Sequence, residues 1–289
     1  MKSITKKLLT AAAALTIGAA GIASAQTTLE DIQERGYIQI ATANEVPYGY
    51  VNAAGEAEGI APDVATAVLN NLGIDDIQWV VTQFGSLIPG LIADRFDMVA
   101  AEQAILPDRC AQVLFSTPSS SYGEGMLVAA GNPEGITSYD DFVDNPNLLM
   151  GIMSGADQLD FAQAYGIDQS QLVMIPTNQD ALSAVEAGRV HAYAATGLTV
   201  ANLAENSDRV EPAEGFQTPV IGGEPIRSWG GFTFKLENEE LRDAFNAELE
   251  AFQQTDEYRE ILTSYGLSDV DVDEALAAST EDLCNVDHF

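Results

Sequence analysis

The chain has 289 residues, 46% of them hydrophobic, with 44 acidic against 12 basic side chains and a formal net charge of −32. So acidic a surface excludes nucleic acid as a partner and argues against binding anionic lipid. The acids are interleaved with apolar residues at helical spacing, so they read as a solvated shell rather than a disordered block, suited to a salty medium that screens self-repulsion.

Residues 1–25 read as an export signal. Lys2, Lys6 and Lys7 precede an apolar run, Leu8–Gly21, and Ala23-Ser24-Ala25 forms a cleavage site before Gln26. The run is too short and alanine-rich for a membrane anchor, and no cysteine follows the cleavage point to carry a lipid. Cleavage leaves 264 residues (289 minus 25), with Lys235 as the remaining lysine beside eight arginines. That length exceeds the usual single core and predicts two lobes. The cysteines, Cys110 and Cys284, form an even pair in an exported chain. This predicts a disulfide tying the C-terminal tail to the first lobe, worth about 3–5 kcal/mol by chain entropy; two separate buried thiols are the alternative. Together with His191 and His288 they show no metal-ligand spacing.

From Gln26 onward strand-like and helix-like runs alternate. Thr28 opens a helix over 29–34 that Gly36 stops, and 37–42 reads as a buried strand. Pro62 suits the first position of a helix whose apolar face is Val64, Val68, Leu69 and Leu72. A strand at 77–81, a helix at 87–93 and a strand at 97–101 follow, and Pro107 opens a further turn carrying Arg109 and Cys110. This order predicts a parallel sheet covered on both faces. Past residues 126–133 the alternation repeats, with strands at 149–152, 172–175 and 190–194 and helices at 156–164, 181–187 and 198–205. A strand at 228–234 and helices at 238–253 and 256–264 then return to the first lobe. The predicted architecture is an α/β two-lobed clamshell: residues 26–122 plus 228–289 in one lobe, 123–227 in the other, and two hinge crossings.

In such sheets ligands bind beyond the carboxyl ends of the strands. The first strand ends at Asn44-Glu45-Val46-Pro47-Tyr48, which hangs a carboxylate and an aromatic face there. That pair suits a small cationic or zwitterionic solute; a turn with a solvated Glu45 is the plain alternative. Arg109, just past Pro107, offers a rigid bidentate fork for a carboxylate, or else a salt bridge to Asp108 or Glu102. Phe84 sits at a strand-to-helix elbow, where it can stack on a flat cation or fill the core.

The export signal and the βαβ spacing resemble the solute-binding receptors of ABC importers, in the polar amino-acid-like class with a type II clamshell. Within that class the chain is most similar to ectoine/hydroxyectoine-binding proteins. The matching stretches are Ala43-Asn44-Glu45-x-Pro47-Tyr48, Phe84 to Leu91, Pro107 to Ala111, and Asp282-Leu283-Cys284. The resemblance implies that Arg109 clamps the ligand carboxylate while Tyr48 and Phe84 supply two walls of an aromatic box. The third wall falls on Ala104, and Glu102 replaces a glycine, so either Trp229 or Tyr122 near the hinge substitutes or the ligand has a different shape. In the second lobe, Ser154, Gly155 and Asp157 begin a helix where amino-acid receptors hold a carboxylate. Asp157 there speaks against a bare carboxylate, or is simply a first-turn acid. Thr196 stands where the amino-acid branch has an Asp for the α-ammonium.

The expectation is a monomeric periplasmic receptor without cofactor or metal. It would take ectoine, hydroxyectoine or a related zwitterionic compatible solute and deliver it to an inner-membrane ABC permease. An amino-acid or opine-like cargo is the alternative. An exported dehydratase on the same fold would need a positioned general acid; Glu102 or Asp157 could be drafted, without a visible partner. His191 reads as a lobe-surface residue. The sequence contains no Gly-rich phosphate loop and no G-x-S-x-G elbow.

Overall fold

The computed structural model describes residues 26–285. The expected export signal and His288 lie outside them. Among the described residues no helix is long and apolar enough to cross a membrane.

The chain is two-lobed and mixed α/β. Strand Ile38–Thr42 lies between Ile77–Val81 and Met98–Ala104, parallel to both. In the second half, Met150–Met153 lies parallel to Ala192–Thr196 on one side and Leu172–Ile175 on the other. Two longer strands join these halves. Ser120–Ala129 and Arg227–Phe234 pair antiparallel, with Arg227 opposite Gly123 and Ser228 opposite Tyr122. The first then runs on against Ala192–Thr196 and the second against Met98–Ala104. All the parallel strands thus point their carboxyl ends at one seam.

The core divides into two clusters. In one, helix Ile60–Asn71 presses Val64, Val68 and Leu69 toward Phe232, Phe234, Phe245 and Leu249, and helices Glu239–Phe252 and Asp256–Ser264 close over that side. The other fills the second lobe and continues through Met153 and Ala156 to Phe84, Leu87 and Ile88 of the first. Apolar packing therefore crosses the seam.

Several boundaries differ from the expectation. Pro62 is the third residue of its helix, which starts at Ile60 after Gly59. Its missing N–H still costs nothing, because first-turn N–H groups have no helical partner. Strand Met98–Ala104 runs three residues past 101, which brings Glu102 and Ala104 into the sheet. Helices Asp269–Ala277 and Thr280–Asn285 were not expected; polar capping segments and short apolar faces hide them. The second carries Cys284 to Cys110, and the two form a disulfide with Cα atoms 5.8 Å apart.

Candidate ligand-binding cleft

Strand ends from both lobes contribute to one cavity at the seam. From the first lobe come Glu45, Tyr48, Phe84, Glu102 and Ala104; from the second, Met153, Asp157, Gln158, Tyr193 and Thr196. Glu45 sits in a turn closed by two backbone hydrogen bonds with Gly49, each 2.8 Å. The turn aims its carboxylate across the seam, where Oε1 accepts from Thr199 Oγ1 at 2.8 Å. Thr199 is itself held by Thr196, whose Oγ1 donates to Thr199 Oγ1 at 3.0 Å. Burial raises the Glu45 pKa, with Thr199 and Asn178 opposing the rise and Asp157 adding to it.

The aromatic wall is rearranged relative to the expected box. Tyr48 meets Tyr122 edge-on, ring centroids 5.2 Å apart, and both line the cavity. Tyr122 therefore stands near the gap at Ala104, and Tyr193 contributes a further ring from the second lobe. Trp229 does not reach this cavity. Its indole N–H donates to the Glu274 carbonyl at 3.2 Å, and its ring lines a separate cavity with Ile105, Leu106 and Phe161.

Arg109 is buried yet lies beside the cavity rather than on its wall. Its two terminal nitrogens donate to the carbonyls of Ala104 and Gly155, both at 2.9 Å, and its guanidinium carbon lies 5.8 Å from the Phe84 ring centre. One carbonyl belongs to each lobe, so the guanidinium bridges the seam. It lines an adjoining cavity with Pro107, Asp108 and Asp160. Ser154 and Gly155 meet the first lobe through backbone. A Cβ on Gly155 would lie 2.7 Å from the Gly85 Cα, and one on Gly85 would lie 2.8 Å from the Ser154 carbonyl oxygen. Only two glycines allow so close an approach.

Carboxyl groups crowd the cleft. Glu102 has φ +46°, a conformation costly for a non-glycine residue. Its carboxyl accepts from Ser119 Oγ at 2.8 Å and Ser120 Oγ at 2.5 Å. Burial pushes its pKa up to about 7 against those two hydrogen bonds. Asp157 does not cap its helix; Oδ2 instead accepts from Ser228 Oγ at 2.7 Å. Glu124, Thr199 and Tyr193 escaped the sequence reading. Thr199 has a visible signal, a second threonine one turn after Thr196, whereas Glu124 lies in a strand with no motif around it. His191 is a structural acceptor: the Leu149 N–H donates to its Nδ1 at 2.8 Å.

Residues 38–268 match the family of bacterial extracellular solute-binding proteins, family 3, and the chain belongs to it. It is 48% identical to the probable amino-acid ABC transporter periplasmic-binding protein y4tE of Sinorhizobium fredii, over 96% of this chain and 93% of that one. It is 22% identical to the L-arginine-binding protein of Pseudomonas aeruginosa, over 78% and 85%. Among solved structures, EhuB in complex with hydroxyectoine superposes with a TM-score of 0.81 at 33% identity, covering 89% of this chain and 98% of that one.

Proposed function

We propose that this family 3 solute-binding protein is the extracytoplasmic receptor of an ABC importer, and that it closes its lobes on a compact solute bearing a delocalised positive centre. Ectoine, hydroxyectoine or a related zwitterionic compatible solute is the leading cargo. The observation that carries the reading is Glu45, a buried carboxylate beside Tyr48 and Phe84 that is held from the opposite lobe by Thr199. A planar cation fits between a carboxylate and aromatic faces, and exclusion of water strengthens that charge pair. The likeness to EhuB, whose structure contains hydroxyectoine, supports the same cargo.

The lobes in this proposal are residues 26–122 plus 228–289 and residues 123–227, with hinge crossings in strands Ser120–Ala129 and Arg227–Phe234. Ser154, Gly155 and Arg109 work at the seam, and the solute's carboxylate meets Arg109 from the adjoining cavity. Trp229 serves the hinge. After removal of residues 1–25 the receptor acts in the periplasm as a monomer beside its permease.

An amino-acid or opine-like cargo is the second reading, favoured by the name of the relative in Sinorhizobium fredii. A thermal-shift panel separates them: a ligand at 100 times its Kd stabilises by about 2.7 kcal/mol. Stabilisation by ectoine or hydroxyectoine and not by amino acids supports the first reading. The opposite pattern replaces it with the second.

A further inference from the structure

Glu124 is the buried acid that the receptor reading leaves without a task. It sits on the crossing strand Ser120–Ala129, directly opposite Thr196 in the sheet register, and is 8% exposed. Gln158, a residue of the cleft wall, donates from Nε2 to its Oε2 at 2.9 Å, while Oε1 has no partner. Tyr48 and Tyr122 line both the cavity at Glu124 and the cleft at Glu45, so the two acids share an aromatic partition. The Tyr48 hydroxyl, also buried, likewise has no partner. Asp157 lies close enough to influence both acids electrostatically, and Glu45 in turn raises the pKa of Glu124, which burial raises most. Among the described residues no cation is hydrogen-bonded to Glu124. Arg109 spends its terminal nitrogens on backbone carbonyls, and among the described residues no group of acids is arranged to hold a metal ion.

We infer that Glu124, together with Asp157, is a second carboxylate grip that takes the same positive centre as Glu45 from its other edge. This rests on the receptor reading and narrows its ligand class. The solute must present N–H donors on two edges of one planar cation, as amidinium and guanidinium groups do. A quaternary ammonium has the charge but no N–H, and it would leave Glu124 Oε1 desolvated and unpaired, a costly state. The cleft thereby selects among small cationic solutes by hydrogen bonding, which discriminates more strongly than apolar fit.

The test is calorimetric titration of the protein and of Glu124→Gln with ectoine, L-arginine and glycine betaine. The expected result is binding of at least one N–H cation, weakened tenfold or more in Glu124→Gln, and glycine betaine at least 100-fold weaker in the wild type. Equal affinity in Glu124→Gln, or glycine betaine bound as tightly as the N–H cations, overturns the inference. So does failure of both ectoine and L-arginine to bind. Loss of ectoine alone, with L-arginine binding still sensitive to Glu124→Gln, sinks the ectoine reading and upholds the two-sided grip. If Glu124→Gln does not fold, the wild-type comparison of glycine betaine with the N–H cations decides.

Discussion

The cleft under Glu45 and the seam beside it face each other across Phe84 and are built on opposite principles. The cleft holds side-chain carboxyls in an aromatic space: Glu45, Glu102 and Asp157 on its wall and Glu124 at the adjoining cavity. The seam is backbone against backbone, with Gly85 on Gly155 and one guanidinium tying two carbonyls from opposite lobes. Helix Pro107–Cys110, which carries that guanidinium, is anchored in turn by the disulfide to Cys284. The lesson is a division of labour. Acidic charge is concentrated in the cleft, and the backbone contacts between the lobes stand next to it.

Breaking the anchor should have the largest effect. The disulfide spans 174 residues of sequence, so the double substitution Cys110→Ser, Cys284→Ser should lower stability by about 3–5 kcal/mol. Urea denaturation reads this directly, and an unchanged midpoint would detach the tail from the seam.

The cleft makes the next prediction, through Glu102. Its folded pKa is raised from 4.5 to about 7, so the folded protein keeps that proton over a range where the unfolded chain has released it. Stability from this group is full below about pH 4.5 and is lost as pH rises through 7. Glu102→Gln should therefore be more stable than wild type by about 3 kcal/mol at pH 8, the difference closing toward pH 4. Parallel pH profiles for the two proteins would show that Glu102 ionises freely in the fold.

Two seam substitutions sharpen the contrast. Gly155→Ala adds a Cβ at a residue with φ +86°, 2.7 Å from the Gly85 Cα. It should hold the lobes apart and weaken every cleft ligand by roughly 100-fold, or about 2.7 kcal/mol, with a larger radius of gyration in solution scattering of the ligand-saturated protein. Arg109→Met removes both carbonyl bonds and should cost about 2 kcal/mol of affinity. If Arg109 acts through the seam alone, that loss is the same for ligands with and without a carboxylate. A loss confined to carboxylate-bearing ligands identifies it as the clamp that the sequence resemblance implies.

The alternation of strands and helices was legible because period-two and period-3.6 patterns report burial directly. Glu45 and Phe84 were legible because turn residues sit just past strand ends. The rest depended on pairings across the sheet. Nothing local to Trp229 says that its indole turns toward Glu274, nor does the run around Glu124 say that it stands opposite Thr196. Arg109 read as a carboxylate fork at the crevice or a salt bridge to Asp108 or Glu102, but its partners are backbone carbonyls, which leave no mark in a sequence. Gly155 read as part of a helix start suited to an anion and Gly85 as part of a turn, and their close approach exists only where the two lobes meet.

The central claim is that Glu45 holds the positive centre of a solute enclosed between the lobes. Calorimetric titration of ectoine into the wild type and into Glu45→Gln tests it most directly. The account predicts measurable binding to the wild type and a loss of at least 100-fold in the variant, because a buried cation left without its carboxylate costs about 3–5 kcal/mol. Equal affinity in the two proteins would contradict it.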